Sequence, residues 1–201
     1  MTPWERFMPD IAPEVMGCPD ASIESALAAA AAEFCERTHL WREYLDADTT
    51  TSGEAEYQLQ GSGVIASVRS VVIDGDTELK PSHFADVTLV KADDTGRPAG
   101  FFLVNDTTIR FFPIPDAEYS FAAQVVLKPS KSARGVEDFL FESYSDDIIN
   151  GALYRLRKIP GKSWSEPALA EMNRANFERG IASARVRDYR HIPLRVKPVL
   201  F

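Results

Sequence analysis

Cysteine and histidine are scarce, two of one and three of the other in 201 residues. Cys18 falls in a turn and Cys35 on an apolar helix face. The pair therefore does not read as a disulfide framework, and a reducing compartment such as the cytoplasm is expected. Two cysteines cannot build a cysteine-rich zinc site, and none of His39, His83 and His191 stands at i, i+4 helical spacing from another ligand. No metal and no cofactor is expected. Long hydrophobic runs are missing too. The longest, Ala26–Ala32, is nearly all alanine and far too short to cross a bilayer. Met1 to Arg6 lacks the basic-then-apolar pattern of a secretion signal. Basic charge is in deficit, with 22 Lys and Arg against 30 Asp and Glu and a net charge of −8. A duplex-wrapping protein needs the opposite balance.

Catalytic patterns are equally thin. Asp94, Thr95 and Gly96 spell the aspartic-protease triplet, but Lys91, Asp93 and Arg97 surround it where a buried carboxylate pair needs an apolar strand. Asp-Thr-Gly is also ordinary turn chemistry. Gly61, Ser62 and Gly63 lack the frame of a nucleophile elbow and the lysine of a phosphate loop. Asp146 and Asp147 are adjacent on a helix, so they diverge and read as a solvated face. The expectation is a non-enzyme.

What is present is patterned apolar sequence. A 45% apolar composition suits one globular domain, or one carrying an insertion. Trp4, Phe7, Met8, Ile11 and Val15 are spaced for a short helix interrupted by Pro9 and Pro13. Ile23, Ala26, Leu27, Ala30, Phe34 and Cys35 predict a helix from about Ala21 to Thr38, capped by Asp20. The period then shortens. Strands are predicted within Trp41–Thr49, Tyr57–Gln60, Val64–Ile73 (with a hairpin signal at Asp74 and Gly75), Leu79–Lys80, Phe101–Val104, Thr107–Phe112 and Tyr119–Leu127. A short helix is predicted from Pro81 to Leu89. Helical spacing returns at Phe139, Leu140, Tyr144, Ile148, Ala152 and Leu156. A last helix starts near Ser163 or Ser165, with Leu169, Met172, Phe177, Ile181 and Ala184 as its apolar stripe and Ser163 with Glu166 at capping-box spacing.

The expected fold is α+β. Terminal α-helices pack as a small bundle (1–40 and 136–188), a central antiparallel sandwich or barrel-like β insertion spans 41–130, and an extended C-terminal arm spans 189–201. Gly151 and Ala152 offer a small-residue contact patch. Trp41 and Trp164 read as packing or subunit-contact residues rather than ligand stackers.

Charge is distributed unevenly. Arg185, Arg187, Arg190, Arg195 and Lys197 face a single acid, Asp188, between Arg185 and Phe201. Beyond Asp188, Pro193 and Pro198 deny the chain a helix, and Leu194 to Lys197 alternate. The arm cannot bury Leu194, Val196, Leu200 and Phe201 within itself, so it is expected to dock elsewhere, on a partner, on an adjacent copy or back onto its own chain.

Three stretches resemble the head-to-tail adaptor, or head-completion, proteins of tailed bacteriophages. The first comprises Gly17, Cys18, Pro19 and Asp20, then Ile23, Ala26 and Leu27, then Ala32 to Thr38 with Trp41. The second is Gly96 to Pro98 followed by a strand and Phe112 to Pro115. The third runs from Gly151 through Leu156, Ile159, Pro160, Lys162, Trp164 and Ser165 to Phe177, Gly180, Ile181 and Ala184. Together they cover most of residues 4–186, and the tail after Asp188 has no counterpart. The resemblance implies a virion structural protein that forms a ring, commonly of twelve copies, docked on the portal protein and joined to a tail terminator, stopper or other neck protein. Packaged DNA would pass through without sequence-specific binding. It implies no catalysis, no membrane, assembly in the host cytoplasm and residence in the virion neck. On that reading the portal-binding candidates are Arg190, His191, Leu194, Arg195, Val196, Lys197, Leu200 and Phe201. Trp41, Gly151, Ala152 and Trp164 are the candidates for subunit or helix packing. Two other classes stay open: a carbohydrate- or protein-binding module using the β insertion, and a hydrolase whose site is assembled only in three dimensions.

Overall fold

The structure, a computed structural model, describes residues 1–82 and 94–191. Two compact units are present: one holds Met1–Leu40 and the residues from Pro129 onward, the other Trp41–Lys128.

The first unit is helical. Its N-terminal segment is a chain of single turns, a 3₁₀ turn over Trp4–Phe7, helix α1 over Met8–Ile11 and a second 3₁₀ turn over Ala12–Val15. Pro9 and Pro13 each sit in a first turn, where a missing N–H costs nothing. Trp4, Phe7, Ile11 and Val15 are buried at the spacing the sequence predicts. The segment is tied down by a two-residue ladder between β1 (Thr2–Pro3) and the later Gly135–Val136, and by the Trp4 indole N–H donating to the Ala133 carbonyl at 2.7 Å.

Helix α2 spans Asp20–Thr38. Asp20 is its first helical residue and makes no cap hydrogen bond; Pro19 occupies the cap position. The helix ends where His39 enters the left-handed region, at φ 57°, and its N–H reaches the Cys35 carbonyl. Helix α3 spans Asp138–Arg157 and is kinked at Tyr144, whose φ is −141°. Helix α4 spans Pro167–His191. It starts at a proline, as first turns favour, and not at the Ser163 capping box; the Ser163 hydroxyl lies 3.5 Å from the Met16 carbonyl instead. The described part of the helix reaches His191. Residues 189–191 of the expected arm are thus helical. The stripe of α4 also differs from expectation. Ala170, Asn173, Phe177, Ile181 and Ala184 are buried, while Met172 is 51% exposed. Asn173 takes the buried place of the apolar Met172 because its amide has polar partners.

The second unit is antiparallel throughout its named strands. β2 (Arg42–Tyr44), β3 (Asp48–Thr49), β4 (Glu56–Gln58), β5 (Val64–Ile73), β6 (Thr77–Leu79), β7 (Gly100–Asn105), β8 (Thr108–Phe112) and β9 (Ser120–Lys128) form two sheets. One has the order β2-β9-β5-β6, with β3 also on β9, and the other the order β4-β8-β7. Asp74 and Gly75, both at positive φ, turn β5 into β6 as the hairpin signal predicts. Tyr57, Phe111 and Phe121 pack with ring centroids 5.3–5.5 Å apart and join the two sheets through their inner faces. The architecture is α+β, and its sheets do not close into a barrel. The helix expected from Pro81 to Leu89 falls largely outside the described residues, as does Ile192–Phe201.

Candidate interface surfaces

Within the helical unit, α3 is the central element. Its small residues sit where α2 and α4 approach. Gly151 and Ala152 are both buried, and the Gly151 α-carbon faces the Phe177 ring and the Ala30 methyl. Of the four packing candidates, these two lie buried at helix contacts within the chain. Gly180 on α4 plays the same part against Asp147: a Cβ there would lie 2.1 Å from the Asp147 carboxylate. Asp147 is therefore half-buried rather than on a solvated face. Desolvation, then the adjacent Asp146, raises its carboxyl above the usual range, against an opposing pull from Arg187.

A polar network fastens the same helices. Arg157 is 3% exposed. Its guanidinium donates to the Asn173 Oδ1 at 2.8 Å, to the Glu14 carbonyl at 3.1 Å and to the Glu14 carboxylate. Asn173 in turn donates to Asn150 Oδ1 at 2.9 Å. Sequence reasoning missed Arg157 because a basic residue in the last turn of a helix ordinarily serves the helix dipole. Near the surface, Arg37 bridges Glu33 of its own helix and Glu178 of α4, and Arg155 of α3 also reaches Glu33. Trp164 lies in the loop between α3 and α4, half-buried, with Lys162 Nζ 5.9 Å from its ring and no acceptor for its indole N–H among the described residues.

In the β unit, Trp41 covers Gly63, where a Cβ would come within 2.9 Å of the ring. Asp94 is exposed, and the Asp94–Gly96 turn is held by Ile114 through two 2.8 Å backbone hydrogen bonds. A groove of about 390 Å³ opens between the β2–β3 edge and the β4 edge, floored by apolar side chains and rimmed by acids. The helical unit has a cleft of about 480 Å³ beside Trp4, with Glu5 and Glu24 opposed by Lys131 and Arg134. No group of three or more His, Cys, Asp or Glu is placed to hold a metal ion among the described residues, and none of their helices is long and apolar enough to cross a membrane. Arg190 and His191 stand in the last turn of α4. Leu194, Arg195, Val196, Lys197, Leu200 and Phe201 lie outside the described residues.

Packing surfaces and open strand edges of this kind suit a protein that works by contact with other chains, and the sequence agrees. Residues 5–197 match the model of a family of phage head-to-tail adaptors. That family is described as the SU10 adaptor protein, and the chain belongs to it. No curated protein matches the sequence. Membership makes the chain a phage structural adaptor, a class that works in the virion neck and is typically non-enzymatic.

Proposed function

We propose that this adaptor assembles as a ring on the portal protein, commonly of twelve copies, and links the DNA-filled head to the next neck or tail protein, with DNA passing through the ring. The family match over residues 5–197 carries this reading. The charge balance supports it: a net charge of −8 keeps a channel wall from holding phosphates tightly. In this reading the C-terminal segment is the portal-docking element. Arg190, His191, Arg195 and Lys197 meet acidic groups on the portal and speed encounter, while Leu194, Val196, Leu200 and Phe201 fill apolar pockets. Pro193 and Pro198 lower the entropy lost on ordering. Ordering coupled to docking would leave the free chain monomeric or weakly associated.

Electron microscopy of the full chain mixed with purified portal and with empty heads tests the proposal. The expected result is a ring of added density on the portal. Portal and heads that stay bare at micromolar adaptor concentration overturn it. Sedimentation of the free protein addresses template dependence, since a stable ring without portal would contradict docking-coupled assembly.

A further inference from the structure

Among the described residues the two sheets of the β unit meet on one side only. On one side the two sheets meet, because Ser82, just past β6, donates its backbone N–H to the Phe101 carbonyl of β7 at 2.9 Å. On the other side the last strands, β2–β3 of one sheet and β4 of the other, stand across the 390 Å³ groove, and no strand pairs with their outer edges among the described residues. Ladder alternation fixes what those edges offer. Trp41 and Leu45 exchange backbone bonds with β9, and Ala55 and Leu59 with β8 and the turn before it. Tyr44 and Gln58, lying between them, therefore direct N–H and C=O groups outward. Leu45, Leu59, Phe121 and Ala123 line the floor and are buried. On the rim, Glu43 accepts from the Ser62 N–H at 3.1 Å and from its hydroxyl, a side-chain link between the β2 and β4 sides of the groove. Asp46 and Asp48 are exposed, Asp48 accepting only from the neighbouring Thr49 N–H at 2.7 Å and Asp46 having no hydrogen-bond or ion-pair partner among the described residues.

Two unpaired edges over an apolar floor, under an acidic rim, specify an occupant: a short extended segment that is apolar on one face and basic on the other. The chain contains one. Leu194, Arg195, Val196 and Lys197 alternate apolar and basic, and prolines at 193 and 198 bound them. Proline is tolerated at strand ends and stops a strand from extending. The segment begins three residues after α4 ends at His191.

We propose that Leu194–Lys197 of one copy adds as a strand to the open seam of a second copy, with Leu194 and Val196 on the floor and Arg195 and Lys197 toward Asp46 and Asp48. A contact of this kind is heterologous: one end of each copy enters a different surface of the next, and repetition closes a ring where the rotation per copy divides a full turn. It also covers edges that would otherwise invite non-specific strand pairing. This rests on the ring reading of the preceding section. It departs from that reading in one respect: Leu194–Lys197 go to the neighbouring copy in place of the portal, and Arg190, His191, Leu200 and Phe201 remain for the portal.

Carbodiimide coupling of the unmodified full chain tests the proposal. The reagent activates a carboxylate, the Lys197 amine displaces it to form an amide, and the carbodiimide leaves as its urea. Equal parts of ¹⁵N-labelled and unlabelled chains are mixed, coupled both free at high concentration and after incubation with portal, and read by mass spectrometry. The expected product joins Lys197 to Asp46 or Asp48 with one labelled and one unlabelled peptide. The paired reversals Asp46→Lys with Asp48→Lys should lower assembly at least tenfold in the concentration required, and Arg195→Glu with Lys197→Glu in the same chain should restore it. Lys197 joined only to other acids, only within one chain, or to none in either condition overturns the proposal. Microscopy keeps the two readings apart: rings on portal without the cross-link sink the strand addition alone, and the cross-link without rings sinks the adaptor ring alone.

Discussion

The α-carbon of Gly151 lies against the ring of Phe177: a Cβ built there would stand 2.8 Å from Cε2 of that ring and 3.0 Å from the Ala30 methyl carbon. One glycine on α3 thus sets how closely both α2 and α4 approach. Gly151→Ala should gain about 1 kcal/mol of helix propensity and lose about 1–3 kcal/mol to overpacking, for a net change between zero and a loss of about 2 kcal/mol. Gly151→Val, with a branched side chain in the same space, should lose at least about 2 kcal/mol. Urea midpoints at an unchanged slope measure both. A Val variant as stable as the parent would show that the helices can move apart freely.

Arg157 supplies the second prediction. Its guanidinium is buried while the Glu14 side chain is half exposed, so removing either partner leaves different debris. Glu14→Ala strands a buried cation on Asn173 and one backbone carbonyl, and should cost about 2–3 kcal/mol, less than the roughly 3–5 kcal/mol of a fully buried pair because the Glu14 side chain is half in solvent. Arg157→Lys should not rescue stability, because one ammonium cannot span the Asn173 and Glu14 acceptors as the guanidinium fork does. Chemical denaturation of both single variants and of the pair closes the cycle.

The two thiols should behave unlike each other. Burial pushes Cys35 up to about 12, so it holds almost no thiolate at pH 8. Cys18 is half-buried and raised less, by desolvation first and Asp20 second. A thiol reagent should titrate one cysteine in the native protein, slowly, and two in denaturant. Cys18→Ser with Cys35→Ala should still assemble, with about 1–2 kcal/mol lost at the buried site. Assembly that disappears when a reductant is added to the unmodified protein would contradict this.

Two carboxylates should shape the acid limb with opposite signs. The hydrogen bonds from Arg37 hold Glu178 below the usual glutamate range. Its stabilisation is therefore full above the unfolded value of about 4.3 and is lost as pH falls through the depressed folded value. Asp147 is raised, so it penalises the folded state at neutral pH, and that penalty lifts as pH falls through the raised folded value. Arg37→Met should flatten the stability profile below pH 5. Asp147→Asn should raise the melting temperature at pH 7 and change it little at pH 3. An Asp147→Asn variant that melts lower at pH 7 would mean that the Arg187 attraction outweighs burial.

Much of this molecule was legible as periodicity. Val64–Ile73 reads as a strand, Asp74 with Gly75 as its turn, and Ile23 to Cys35 as a buried helical stripe, because each pattern depends only on neighbours a few residues away. The adaptor family was legible too, since it resides in the order and spacing of short motifs along the chain. Burial of polar groups was not. Arg157, Asn150, Asn173 and Glu14 are scattered over three helical elements, and each alone has the chemistry of a surface residue. Only their convergence lets Asn173 displace Met172 from the α4 core face, because a buried amide is tolerated when its hydrogen bonds are met.

The open seam belongs to the same divide. Alternation in Glu56–Gln58 and Arg42–Tyr44 marks both as strands, yet nothing local says which strands lie at an edge or which edges face each other. Long-range pairing through β9 and β8 decides that, and it sets Asp46 and Asp48 over Leu45, Leu59 and Phe121. By itself the sequence determined the elements, the family and the charge balance, all of which are carried by residue order. Tertiary structure alone decided which polar residues are buried and which strand edges stay unpaired among the described residues, because both depend on contacts between segments far apart in the chain.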